Sequence, residues 1–322
     1  MNLTRFENEN NSVDVSIIIV NYNTRELLRE CLCSIRECKV SKEIIVVDNA
    51  STDSSVEMLT RDFPDVMIIR NSQNDRFAKP NNQAMRKAGG RYIFLLNSDT
   101  VLMPDSLSVL LKYMDKNGRV GMCAPQLLYP DGSIQPSCRG FVNLWTHFCD
   151  MSALDRLFPR SILFAKSEMR YFNHKSLKEV DHVMAAALLI RRQVIEQVGM
   201  FDENLSINYN DLDLSLRVHQ HNWKVIYNPE AQVIHHHGKT TNMMNKNFEL
   251  FDELYKNVFY YFHKHYGRWS VVFYKLFMIF GFSLRTVYWS VRFMFDQSAK
   301  TKYYLKFSLR SVFTALCFWK TE

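Results

Sequence analysis

Short apolar runs that end on polar or acidic residues alternate with helical stripes through the first hundred positions of the chain. Val15–Val20 runs into Asn21-Tyr22-Asn23, Ile44–Val47 into Asp48-Asn49-Ala50-Ser51-Thr52-Asp53, and Tyr92–Leu96 into Asn97-Ser98-Asp99-Thr100. Runs of this length suit buried strands of a mainly parallel sheet, and Val66–Arg70 reads as another. Between the first two, Leu27, Leu28, Cys31, Leu32 and Ile35 form one helical stripe, opened by a capping-box pattern of Asn23 with Glu26. Further helices are expected over roughly Ser54–Arg61, from Pro80 to the Gly89-Gly90 pair, and after Pro104.

The pattern is less regular beyond residue 120. Val120–Pro125 reads as a strand, followed by a Tyr129-Pro130-Asp131-Gly132 turn. Residues 141–178 carry no clean period and are expected to form an insertion over the site. His182–Ile190 reads as one buried strand, and Arg192–Val198 as a short helix stopped by Gly199. Asp211–Gln220 is a helix; Lys224–Tyr227 and Gln232–Ile234 are two short strands, the second running into His235-His236-His237.

Strands of a parallel sheet present their carboxyl ends at one edge, where α/β proteins bind ligands. Tyr22, Asp48 and Asp99 are thereby delivered to one edge, the layout of a site for a nucleotide and a metal ion. Mg²⁺ and Mn²⁺ take oxygen ligands and use only one or two protein carboxylates beside substrate phosphates. Asp99 fits that role, with His235 or His236 as a second ligand; a helix cap or turn is its ordinary alternative. Asp211 and Asp213 flank Leu212 at a helix start, where capping is the ordinary role. As a general base only one of them can point into the site, because positions i and i+2 do not share a helix face; Asp211 is favoured.

Composition adds limits. Apolar residues make up 47% of the 322, enough for a large core and too many for a disordered chain. Seven cysteines without a CxxC pair argue against a zinc site or disulfide framework and for a reducing compartment. The polar, asparagine-rich first 12 residues are expected to be flexible and are not a secretory signal. The net charge of +7 is concentrated: from His263 onward there are ten Lys or Arg, two Asp or Glu and 17 aromatics. Interleaved apolar residues argue against nucleic acid as the partner. Lys275, Arg285 and Arg292 interrupt the apolar stretch and leave Leu276–Leu284 as its longest uncharged piece, short of the roughly 20 residues that span a bilayer. A helical region lying on an anionic membrane surface is expected; packing on the main domain or a homodimer partner is the alternative.

The segments VSIIIVNYNT, EIIVVDNASTDSS, NNQAMRKAGGRYIFLLNSDT, PDGSIQPSCR, MAAALLIRR, GMFDE, NDLDLSLR and VIHHHGKT occur in order from about Val13 to Thr241. In them the chain resembles family 2 glycosyltransferases of the GT-A fold, and the rhamnosyltransferase-like branch most. The resemblance implies an α/β, Rossmann-like nucleotide-binding half over 13–103 and an acceptor-side half over 104–241; composition adds a helical, membrane-associating appendage over 242–322. The resemblance also implies inverting transfer of a sugar from a nucleotide-diphosphate donor (dTDP-rhamnose or a UDP-sugar) to a glycan or lipid-linked acceptor. This would serve cell-surface polysaccharide synthesis at the cytoplasmic face of the inner membrane, with Mg²⁺ or Mn²⁺ as cofactor.

By position, Tyr22 would stack on the base and Asp48 accept its imide N–H. Asn23, Asn49, Ser51, Asn74, Lys79, Asn82, Asn97 and Ser98 would complete the nucleotide-sugar pocket, Lys79 standing where the family usually has arginine. Asp99 is the carboxylate of the DXD-type metal motif, and Asp211 the aspartate of the Glu-Asp motif. Met184, Ala185, Ala186 and Asn210 would lie on the acceptor side.

Beyond Lys79, the chain departs from the family pattern at four places. Arg76 replaces a glycine, Met184-Ala185-Ala186 replaces Ser-Gly-Ala, Asn210 replaces glutamate and His237 replaces a glycine. Both key carboxylates remain, so the departures read as a changed substrate pocket. An inactive nucleotide-sugar-binding relative and a membrane scaffold are the competing readings. A scaffold gains nothing from keeping Tyr22, Asp48, Asp99 and Asp211 together.

Overall fold

The computed structural model describes residues 13–236 and 248–317. The N-terminal 12 residues and the segment His237–Thr241 of the family pattern lie outside them. Twelve strands are β1 (Val15–Asn21), β2 (Lys42–Asp48), β3 (Met67–Arg70), β4 (Tyr92–Asn97), β5 (Thr100–Leu102), β6 (Val120–Leu128), β7 (Ile134–Gln135), β8 (Cys138–Arg139), β9 (Lys178–Glu179), β10 (His182–Val183), β11 (Ala187–Arg191) and β12 (Lys224–His235). Helices α1 (Arg25–Arg36), α2 (Ser55–Asp62), α3 (Ala78–Met85), α4 (Ser106–Lys116), α5 (Leu144–Met151), α6 (Leu154–Leu157), α7 (Arg192–Val198) and α8 (Asn210–Gln220) are joined by three longer ones, Phe248–Tyr266, Arg268–Phe295 and Ala299–Cys317.

The chain forms two compact units. The first, residues 1–138, 174–206 and 210–241, is built on one sheet of order β3-β2-β1-β4-β11-β6-β12-β5. Strands β3, β2, β1 and β4 run parallel, as the apolar runs predict. Strand β1 pairs with β2 on one side and β4 on the other, so the chain order reverses there. A crevice for a ligand opens at the carboxyl ends of such a pair. Ile17, Ile19, Phe94 and Leu96 from the strands pack in one core with Leu28, Cys31, Leu32 and Ile35 of α1, all buried. Each such side chain contributes about 1.5–3 kcal/mol. Gly90 is required by contact: a Cβ there would lie 2.5 Å from the Ser16 amide nitrogen of β1.

Several expectations are corrected. The capping box does not form: Thr24 is the N-cap of α1, without a side-chain cap, and Asn23 turns away with φ 53° to accept from the Thr52 amide. Helix α3 starts at Ala78, two residues before Pro80, and ends at Met85. Strand β6 runs through Pro125 to Leu128, because the two short strands expected after residue 224 are one strand, β12, with an irregularity between Asn228 and Gln232. The single strand over His182–Ile190 is two, β10 and β11. The chain breaks at Met184–Ala186, where the Met184 amide donates to the Ser137 carbonyl and the Ala186 carbonyl accepts from the Asn97 amide.

The second unit comprises residues 139–173, 207–209 and 242–322, so most of the expected insertion groups with the C-terminal helices. Within it, Gly281 lets the Arg268–Phe295 helix press on α5, for a Cβ there would lie 2.9 Å from the Met151 Cβ. His147 of α5 stacks on Tyr274 at 3.5 Å between ring centroids, and Trp289 stacks on Tyr304 at 4.7 Å. Lys275, one of the charges expected to break the apolar stretch, is buried with its amine 4.8 Å from the centre of the Phe259 ring. Arg285, another, donates to the Asp150 carbonyl. Lys275 is held inside the unit and Arg285 is half-buried, and the Arg268–Phe295 helix is long and apolar enough, by length and composition, to cross a membrane.

Candidate active site

The three apolar runs bring their polar ends together through side chains that local pattern does not reveal. Asn21, the last residue of β1, donates through Nδ2 to Asp48 Oδ1 (2.9 Å) and Ser51 Oγ (3.0 Å). Asp48 Oδ2 accepts from the Ser51 amide at 2.9 Å, so both its oxygens are fixed by the loop that would receive a base. Thr24 donates to Asn21 Oδ1 at 2.7 Å, and its hydroxyl also meets the Ser98 hydroxyl at 2.8 Å. The carboxyl ends of β1, β2 and β4 are thus one hydrogen-bonded network. Tyr22 stands at its edge, 43% exposed, where it could cover a flat ligand.

Asn49, Asn71 and Asn74 form a second cluster. Asn49 Nδ2 donates to the Arg76 carbonyl at 2.8 Å, and the Arg76 amide donates to Asn74 Oδ1 at 3.0 Å. These bonds hold Arg76 at φ 64°, in the left-handed region that favours glycine. Two expected pocket residues have other partners. Lys79 pairs with Asp75 at 2.8 Å, and its hydrogen bond holds the Asp75 carboxyl below the usual range. Buried Asn82 donates to the Phe201 carbonyl and Glu203 and accepts from the Phe201 amide, so it straps α3 to the loop before α8.

The strongest constellation joins the ends of β4 and β12. His235 Nε2 lies 3.3 Å from Asp99 Oδ1 and 3.5 Å from Asn97 Nδ2. On the other side of the ring, Nδ1 is 2.9 Å from Gln135 Oε1, at the β7 position buried beside β6. A carbonyl oxygen only accepts, so Nδ1 carries a proton, and Nε2 faces the Asp99 carboxylate. At this distance Nε2 either donates a second proton to Asp99 or shares a cation with it. Burial works to raise the Asp99 carboxyl, but the hydrogen bond and charge of His235, with the charge of His236, hold it below the usual carboxylate range. With Nδ1 held by Gln135, the Asp99 carboxylate and His235 Nε2 could serve as two ligands to a divalent cation, Mn²⁺ more readily than Mg²⁺. His236 is separated from it: its backbone amide donates to the Asp99 carbonyl while its ring faces Glu30 at 3.7 Å.

The two aspartates of α8 are resolved by their surroundings. Asp213 is wholly buried against Arg217, 2.8 Å away, and Arg217 also donates to the carbonyls of Val198, Gly199 and Met200. It is a clamp between α8 and the end of α7. Asp211 is half-buried; its carboxylate accepts from the Leu212 amide, and its own amide donates to Asn210 Oδ1. The buried Asn210 side chain shapes the first turn of α8. Of the acceptor-side segment, Ala186 touches the β4 end through its carbonyl, and Ala185 is buried beside it.

Asn21, Thr24 and Gln135 escape sequence reasoning. The partners that tie them to the other strand ends lie 27 to 100 residues away, and the local signal is that each sits at the end of an apolar run or a turn.

The sheet edge is that of an α/β ligand-binding fold, and residues 16–181 match the family described as Glycosyl transferase family 2. The chain belongs to that family. It is 26% identical over 239 residues to the N-acetylglucosaminyl-diphospho-decaprenol L-rhamnosyltransferase of Mycobacterium tuberculosis, covering 70% of this chain and 76% of that protein. It is 27% identical over 228 residues to the O-antigen biosynthesis protein RfbC of Myxococcus xanthus, covering 69% of this chain and 17% of that protein. In structure it is similar to a mannosyltransferase from Pyrobaculum calidifontis in complex with GDP-Man and Mn²⁺, with a TM-score of 0.53, 13% identity, and 97% and 88% of the two chains covered. The protein is a glycosyltransferase of the GT-A fold.

Proposed function

We propose that this chain is an inverting glycosyltransferase that moves a sugar, rhamnose in the first instance, from a nucleotide-diphosphate donor to a lipid-linked or glycan acceptor. The products would feed cell-surface polysaccharide synthesis at the cytoplasmic face of the inner membrane. The observation that carries this reading is the Asp99–His235 pair at the sheet edge, with Gln135 fixing the imidazole. The names of the Mycobacterium and Myxococcus relatives support the substrate class, since the first specifies rhamnosyl transfer to a lipid diphosphate sugar and the second O-antigen biosynthesis.

Inversion is one in-line displacement at the anomeric carbon. Asp211 takes the proton of the acceptor hydroxyl as its oxygen bonds to that carbon, and the bond to the diphosphate oxygen breaks. A base so placed contributes typically about 10²–10⁴-fold. Tyr22 covers the base of the nucleotide, and the Asn21–Asp48–Ser51–Ser98 network sets the loops against which the donor lies. A divalent cation held by Asp99 and His235 would supply charge neutralisation for the departing diphosphate.

A donor screen tests this: nucleotide release from dTDP-, UDP- and GDP-sugars with Mg²⁺ or Mn²⁺, repeated with chelator and with Asp99→Asn. Turnover lost in both latter arms is expected. Full turnover of Asp99→Asn in excess chelator overturns the metal assignment. Nucleotide binding without turnover for every donor favours the inactive-relative reading.

A further inference from the structure

The helical unit exposes what a water-soluble helix hides. On the Arg268–Phe295 helix, Trp269, Phe273, Leu276, Phe280, Leu284 and Val287 are 48–64% exposed. Val291 and Met294 continue the row. Their spacing of three and four residues puts all eight on one face, a straight stripe along the helix. At 1.5 Å per residue the 28-residue helix is about 42 Å long. The opposite face is occupied: Val271, Tyr274, Lys275, Met278 and Phe282 are buried within the unit.

Exposed basic residues flank the stripe. Arg268 and Arg292 lie on the same helix, and Lys300, Lys302 and Lys306 on the next. That next helix adds half-exposed Leu309, Phe313 and Leu316. An apolar row edged by cations is the pattern of a helix lying in the headgroup region, its side chains reaching the acyl boundary and its cations the phosphates.

We propose that this stripe is the seat of an anionic phospholipid bilayer, with the Arg268–Phe295 helix lying in the membrane plane rather than across it. Charge selects the occupant. A second copy of this chain seated on the stripe would bring cationic flanks against cationic flanks, whereas anionic headgroups complement them. Burial selects the orientation. A spanning helix would carry Lys275, α5 and the Ala299–Cys317 helix packed against it into hydrocarbon, whereas an in-plane helix offers lipid only its bare face. This deepens the proposed membrane location but does not rest on the catalytic reading, and its test uses no sugar substrate.

The full chain is mixed with phosphatidylcholine vesicles, with and without phosphatidylglycerol, and sedimented. Binding is expected only with phosphatidylglycerol, with Trp269 fluorescence shifting to the blue and being quenched by brominated acyl chains. The quenching should weaken in Trp269→Phe. Phe280→Glu with Leu284→Glu, two exposed positions, should keep the helical circular dichroism and lower vesicle partition at least tenfold. Alkaline carbonate should strip the bound protein. Resistance to carbonate would overturn the in-plane orientation. A monomer that ignores phosphatidylglycerol vesicles would overturn the proposal. So would a dimer that ignores them and dissociates in the double variant, which would give the stripe to a second copy.

Discussion

The two units differ in what they leave exposed. In the sheet unit, Ile17, Ile18, Phe94 and Leu95 are hidden, and polar side chains collect at the strand ends. In the helical unit Lys275, Ser270, Thr301 and Ser311 are buried while Trp269, Phe280 and Phe295 are exposed. The same residue types therefore report different surroundings. An apolar run in the sheet marks a core made by the chain itself, and an apolar row on the helical unit marks a surface that something else covers. Charges divide likewise: Asp48 and Asp99 are buried among hydrogen-bond donors that shape a site, whereas Lys275 is buried against an aromatic ring that only accommodates it.

The largest effect that would sharpen this contrast is within α8. Asp213→Ala removes the buried carboxylate that pairs with half-buried Arg217, which keeps its carbonyl partners, and should destabilise the sheet unit by about 1–3 kcal/mol in urea unfolding. Asp211→Asn should leave the midpoint unchanged. Equal stability of the two variants would break the division between clamp and reactive group.

The helical unit has its own buried group. Burial pushes the His147 imidazole down to about 3, and Nε2 has no hydrogen-bond partner among the described residues. The unfolded chain takes up the proton near pH 6.5 while the folded unit refuses it until about 3. Stability is therefore lost as pH falls through that window, by up to roughly 1.4 kcal/mol per pH unit from this group. His147→Phe should be increasingly more stable than the parent between pH 6 and about 4 in denaturant melts. A constant difference across that range would show that His147 is already protonated when folded.

Gln135 tests the site at one remove. Gln135→Ala frees the His235 ring, and Mn²⁺ affinity measured by electron paramagnetic resonance should weaken about 10–100-fold. Gln135→Glu, which keeps an acceptor for Nδ1–H, should restore much of it. Unchanged affinity in the alanine variant would remove Gln135 from the site. The smallest effect concerns Arg76. Arg76→Gly removes the cost of a side chain at φ 64° and should stabilise the chain by at most about 1 kcal/mol, because glycine also frees the unfolded state.

The parallel strands and their acidic ends were legible because an apolar run followed by aspartate carries strand, direction and chemistry at once. Asp48 and Asp99 are the examples. The lone strand over His182–Ile190 misled because Val183–Leu189 is apolar throughout, and only the Asn97 and Ser137 backbone partners show where it breaks. Asn23 and Glu26 matched a capping box, yet Asn23 spends its side chain on Thr52, a partner from another loop. His235 and His236 were equal in sequence, and only Gln135 on one side and Glu30 on the other separate them. Lys275 and Arg285 counted as interruptions of an apolar helix, whereas their partners lie on neighbouring helices. In each case the deciding contact is remote in sequence.

The central claim is that Asp211 is the base of a single-displacement sugar transfer at the sheet edge. Its most direct test is single-turnover transfer from the donor found in the screen, comparing the parent with Asp211→Asn at matched nucleotide-diphosphate affinity. The account predicts that the variant binds nucleotide as the parent does and transfers sugar about 10²–10⁴-fold more slowly. Transfer at the parent rate by Asp211→Asn would contradict it.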